Sequence, residues 1–150
     1  MGRWVVRSLL GLVIVLVLIQ FIPVDRTNPE FDNKKTMFSK ETVPPSLKMT
    51  FNRSCGDCHS DTTTWPAYSY VAPVSWIIAS DVHDGRKHLN FSEWGNYDAK
   101  QREEALEKIC EQIQQGEMPD KKYVLLHRDA KLKDSEKEAI CKWSEAARQY

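Results

Sequence analysis

Residues 52–66 read NRSCGDCHSDTTTWP, with Cys55 and Cys58 separated by two residues and His59 directly after the second cysteine. Three chemistries use such a group. A pair of thiols in C-x-x-C can cycle between dithiol and disulfide. The same pair can supply half of a tetrahedral zinc site. In C-x-x-C-H the two thiols can instead add across the vinyl groups of a haem, and the adjacent imidazole can take one face of its iron.

The rest of the chain separates these readings. A redox dithiol belongs at a helix start after a central strand, and the preceding PPSLKMTFNRS is too short and polar for one. A zinc site wants two more closely spaced ligands, whereas Cys110 and Cys141 are 31 residues apart. His83 and His88 are five apart, but using them for zinc leaves His59 without a role. Haem attachment uses Cys55, Cys58 and His59 together. A second iron ligand is available in QQGEMPDKKY, where Met118 precedes Pro119 and offers a soft thioether that raises the reduction potential. His83, His88 and His127 compete with it, and an imidazole there would lower the potential.

These residues must be held by helices. Residues 74–84 put Val74, Ile77, Ile78 and Val82 on one face, and residues 98–115 align Ala105, Leu106, Ile109, Cys110 and Ile113 before Gly116 ends the run. Residues 135–149 align Ala139, Ile140, Trp143, Ala146 and Ala147, with Ser135 and Glu138 spaced for a capping box. No segment alternates long enough to be a strand. The expectation is an all-α domain over 47–150, with loops at 59–73, 85–97 and 116–133. Cys110 and Cys141 fall on the apolar faces of the last two helices, and outside the cytoplasm they would pair as a disulfide.

Residues 8–24, SLLGLVIVLVLIQFIPV, are apolar except for Ser8, Gly11, Gln20 and Pro23. With Arg3 and Arg7 ahead of it, residues 1–24 read as a single transmembrane signal anchor; a cleaved signal peptide is the rival, but no A-x-A cleavage pattern follows. Residues 25–46, rich in Pro, Asn, Thr and charge, read as an extended tether. Flanking positive charge does not set the orientation, since Arg26, Lys34, Lys35 and Lys40 follow the span. Covalent haem is attached outside the cytoplasm, which would place the domain in the periplasm. Acidic and basic residues number 21 each, leaving no basic excess for nucleic acid.

From FIPVDRTNP through CGDCHSDTTTWPAYSYVAPVSW, GRKHLNFSEW, GEMP and KWSEAARQY, the chain resembles the small bacterial haem-binding domain family of membrane-anchored c-type proteins. The resemblance implies a cytochrome c-like helical domain around one covalent haem c. Cys55, Cys58 and His59 would bind it and Met118 would be the second iron ligand. By likeness to cytochromes c, Pro73 would offer its carbonyl to the His59 ring, with Pro66 as the alternative. Arg86, Asn90 and Trp94 in the GRKHLNFSEW segment are candidates for the haem propionates. The functional expectation is an electron carrier rather than an enzyme, since no nucleophile–base pair or carboxylate dyad stands out. It would serve redox partner proteins in the periplasm or inner membrane. The alternative is a haem-based sensor whose sixth position exchanges.

Overall fold

The computed structural model describes residues 2–149, so the two chain ends, 1 and 150, lie outside it. Every regular element among them is helical. The first helix, α1 (Arg3–Leu18), continues through a 3-10 turn at Ile19–Phe21. Together they form 19 residues of mean hydropathy 2.3 with none buried, long and apolar enough to cross a membrane. At about 1.5 Å per residue the segment is roughly 28 Å long, against a hydrocarbon core of about 30 Å.

The remaining α-helices are α2 (Met37–Lys40), α3 (Pro45–Ser54), α4 (Gly56–His59), α5 (Val74–His88), α6 (Ala99–Gln114), α7 (Lys121–Leu126) and α8 (Asp134–Ala147). The three helices expected from periodicity are α5, α6 and α8. α6 begins with a reciprocal cap in which Asp98 Oδ1 accepts from Gln101 N and Gln101 Oε1 accepts from Asp98 N. It ends before Gly116, whose φ of 72° lies in the left-handed region that glycine enters at no steric cost. The start of α8 differs from expectation. Glu136, not Glu138, reaches back to accept from the backbone N–H of Lys133 at 2.8 Å. Arg53 of α3 then pairs with the same Glu136 carboxylate at 3.0 Å, tying α3 to the start of α8.

α6 packs along α8, and the two are joined by a Cys110–Cys141 disulfide. Their apolar faces meet α3 in a core of Phe51, Leu106, Ile109, Ile113, Ile140 and Trp143. Phe51 is the hub, with its ring edge-on to Phe91 at 5.6 Å and to Trp143 at 5.3 Å. Such aromatic contacts favour one packing arrangement over its alternatives.

Two expectations are corrected here. The stretch 25–46 is not all extended tether, because Met37 is fully buried in the core. Thr42 O accepts from Trp143 Nε1 at 3.0 Å, and Glu41 Oε1 accepts from Trp94 Nε1 at 2.7 Å. The packed domain therefore starts well before Leu47. The expected loops are also partly helical: α5 runs on to His88, α7 occupies 121–126, and 3-10 turns form at Ala67–Tyr70, Trp94–Asn96 and Arg128–Ala130.

Candidate haem site

α3 starts with Pro45 in its first turn, where the missing N–H costs nothing, and buries Leu47, Thr50, Phe51 and Ser54 on one face. It ends at Cys55, and the motif winds at once into the single turn α4, with His59 N donating to Cys55 O at 2.9 Å. One turn thus carries both thiols and the imidazole. Behind it lies α5. A Cβ on Gly85 would sit 2.5 Å from Cys58 O, so glycine is what lets the two backbones approach.

That approach serves the histidine. His59 Nδ1 lies 3.1 Å from Gly85 O and 3.0 Å from Leu89 O, and two acceptor carbonyls require Nδ1 to carry the proton. Burial pushes the ring toward its neutral form against the pull of those two carbonyls, with a smaller push the same way from His88. Neutral imidazole protonated at Nδ1 leaves the Nε2 lone pair free to ligate. The backbone of the same segment closes the grip, with Phe91 N donating to His59 O at 2.7 Å. Pro73 therefore does not orient the imidazole. It sits at the start of α5, and the Pro66 carbonyl is taken by Ser69.

Burial also pushes the Cys55 thiol up to about 12, with the neighbouring Cys58 adding to it. Cys58 is likewise raised to about 12, by burial first and then by Asp57, Asp81 and Asp120. A dithiol catalyst needs the opposite, a thiol poised to ionise near neutral pH. Among the described residues no cluster of three or more His, Cys, Asp or Glu could hold a metal ion, so nothing in the structure adds to the zinc reading.

Cys55, Cys58 and His59 open onto one cavity of about 540 Å³. Its walls include Phe51, Leu89, Phe91, Ile109 and Ile113, and Met118 and Pro119 line it from the connection between α6 and α7. Two thiols, an imidazole and a thioether thus face one largely apolar space, in the size range of pockets that enclose an organic cofactor. Met37 is locked in the core and Met49 is exposed, so of the described methionines Met118 alone reaches this cavity. Of the competing histidines, His88 lines the cavity. His83 projects into solvent beside Asp84, and His127 is engaged by Tyr68 and Tyr123.

Scanning against known families matches residues 14–146 to the haem-binding domain family. The chain belongs to the haem-binding domain family. The match covers both the motif and Met118, and agrees with the resemblance read from the sequence. No curated protein and no solved structure matches the chain. The donors present fit haem: a lone pair at His59 Nε2, a soft sulfur at Met118, two thiols on one turn, and apolar walls.

In this haem-binding domain the three propionate candidates are occupied otherwise. Arg86 donates to Ser60 O at 2.9 Å, to Thr63 Oγ1 at 2.8 Å and to Thr27 O at 3.0 Å, and lies 3.4 Å from the buried Asp61 carboxylate. Asn90 donates to the same carboxylate at 3.0 Å. Trp94 is fully buried against Glu41. None of the three lines the cavity. Arg86 and Asn90 hold the chain just after the motif against α5, so their work is positional.

Four contributors escaped sequence reasoning. Gly85 and Leu89 act through backbone carbonyls. Asp57, inside the motif, accepts from Tyr123 Oη at 2.7 Å and from Thr64 N at 3.0 Å. Tyr123 belongs to α7, which Asp120 caps by accepting from Lys122 N at 2.7 Å and Tyr123 N at 3.2 Å. The Tyr123 phenol is held well above its usual range, by burial first and then by Asp57. The Met118 connection is therefore pinned at both ends. Glu117 N and Met118 N both donate to Gln112 O, at 3.0 and 3.2 Å, and Tyr123 fastens the far side to the cysteine turn. The signals available were a glycine inside a helical run and a tyrosine placed five residues after the methionine.

Proposed function

We propose that the protein is a membrane-anchored c-type cytochrome that transfers single electrons outside the cytoplasm. Cys55 and Cys58 would hold haem through thioethers, and His59 and Met118 would be the residues that ligate its iron. The observation that carries this reading is that both thiols, the imidazole and the thioether line one apolar cavity. When bound, haem supplies a one-electron iron couple, and the chain sets its potential and excludes water.

Each residue has a distinct part. The Gly85 and Leu89 carbonyls hold the Nδ1 proton of His59 and fix the plane of the ring. Cys55 and Cys58, carried on the one turn of α4, would fix the haem edge beside that ring through their thioether bonds. Phe51, Phe91, Ile109 and Ile113 keep the pocket dry. The Tyr123–Asp57 bond keeps Met118 at the cavity. The anchor rests on α1, and its periplasmic side follows from where c-type attachment takes place.

A second reading draws on Met118 itself, whose surface is 38% exposed in a connection rather than a helix. A ligand on such a segment can exchange, which would suit a sensor. Carbon monoxide added to the reduced protein separates the two. An electron carrier binds it slowly or not at all, and Met118→Ala binds it rapidly with a high-spin ferric spectrum. Rapid binding by the unmodified protein would favour the sensor.

A further inference from the structure

α1 is not a free leash. Gln20, in its last 3-10 turn, bonds the domain twice at one residue: Nε2 donates to Ala72 O at 3.1 Å, and Oε1 accepts from Ala72 N at 2.9 Å. The same amide also donates to Leu16 O at 2.7 Å, which fixes it to its own helix. Around that joint the domain shows apolar residues to the outside. Tyr70 is 59% exposed, Val71 55%, Val74 39% and Ile77 49%. Val74 and Ile77 share one face of α5, since residues three apart are neighbours on a helix. A different face of α5 buries Ser75 and Val82.

We infer that the face formed by Tyr70, Val71, Val74 and Ile77 lies in the headgroup layer of the same bilayer that α1 crosses. This rests on the reading of α1 as a membrane span. The span Arg3–Phe21 is about as long as the hydrocarbon core is thick, which puts Gln20 at the core–headgroup boundary. That layer is about 5–7 Å deep on each side. Ala72, bonded to Gln20, is therefore at its level, and Val71 and Val74 follow within one or two residues at about 3.8 Å each. Exposed apolar surface at this depth meets lipid before any other partner.

The polar groups agree. The Arg26 guanidinium lies 4.5 Å over the Tyr70 ring and donates to Ser69 O at 3.4 Å. An aromatic ring with an arginine beside it suits the boundary between acyl chains and phosphates. Docking here fixes the orientation of the domain, so the cofactor cavity opens at a set height and angle relative to the bilayer.

The test uses full-length protein, with haem attached, in phosphatidylcholine nanodiscs. An environment-sensitive fluorophore is placed at Leu10→Cys, Val74→Cys or Glu145→Cys, the last on the exposed side of α8. Wild-type protein carried through the same labelling supplies the blank. The expected result is a blue-shifted emission, quenched by nitroxide lipids, at positions 10 and 74, with an aqueous spectrum at 145. If position 10 is quenched while position 74 matches 145, the domain stands off the membrane and the inference is overturned, while the anchor survives. If position 10 is itself aqueous, the anchor and the inference both fail. Shielding at 74 that appears only when a second protein shares the disc also overturns it, in favour of a protein partner.

Discussion

Replacing Gly85 by alanine sets two effects of opposite sign against each other. Gly85 lies inside α5, where alanine is the better helix former by about 1 kcal/mol. Helix propensity alone therefore predicts that Gly85→Ala stabilises. The contact predicts the reverse. A Cβ there would stand 2.5 Å from Cys58 O and 3.1 Å from Cys58 C, while ordinary contact begins near 3.4 Å. α5 must then retreat by the difference, 3.4 − 2.5 = 0.9 Å, from the motif backbone. Overpacking of this kind costs about 1–3 kcal/mol. The same retreat stretches the His59 bonds from 3.1 and 3.0 Å toward 4 Å, beyond hydrogen-bond range, at a further cost of about 1 kcal/mol. The net expectation is destabilisation by about 1–3 kcal/mol, together with a disturbed haem spectrum as the imidazole loses its fixed plane. Urea unfolding of detergent-solubilised wild type and variant, followed by helicity and by haem absorption, measures both. A Gly85→Ala protein as stable as wild type or more so, with an unchanged spectrum, would show that the close approach of α4 and α5 does not constrain the site.

Tyr123→Phe removes the 2.7 Å bond to Asp57 and should destabilise by about 1–2 kcal/mol. Its reduced form should bind carbon monoxide faster than wild type, because the Met118 connection loses one of its two fastenings; an unchanged rate would show that the bond does not hold Met118. Cys110→Ser with Cys141→Ser opens a loop of 31 residues and should cost about 3–4 kcal/mol in urea unfolding. Its haem spectrum should stay that of wild type, since neither cysteine lines the cavity.

What could be read from the sequence follows from where the physics leaves a pattern. α5, α6 and α8 bury apolar residues at helical spacing, and the C-x-x-C-H run carries three donors in adjacent positions. Met118 stands out in the sequence as a methionine in a polar connection, and in the structure it lines the cavity. α3 left little trace, because its inner face is Leu47 and Phe51 completed by Thr50 and Ser54. Periodicity carries α5 only to Asp84, because the apolar face ends at Val82. The helix continues because Gly85 lies against Cys58 and the carbonyls of Gly85 and Leu89 receive His59. Carbonyl acceptors have no residue signature, which is why proline was expected in their place. Glycine inside a helical run was the clue, since it is unfavourable there unless something must come close. Met37 and Trp94 could not be assigned from spacing, as their burial depends on contacts more than 50 residues apart, such as Trp94 with Glu41.

The central claim is that this haem-binding domain carries its haem through Cys55 and Cys58. The most direct measurement is the intact mass of denatured, desalted protein from cells that mature c-type haem, beside a Cys55→Ser, Cys58→Ser double variant. The account predicts a mass of chain plus one haem for wild type and of chain alone for the variant. A wild-type protein that is coloured when folded but has the mass of the bare chain when denatured would contradict it, leaving a cavity that binds haem without a covalent link.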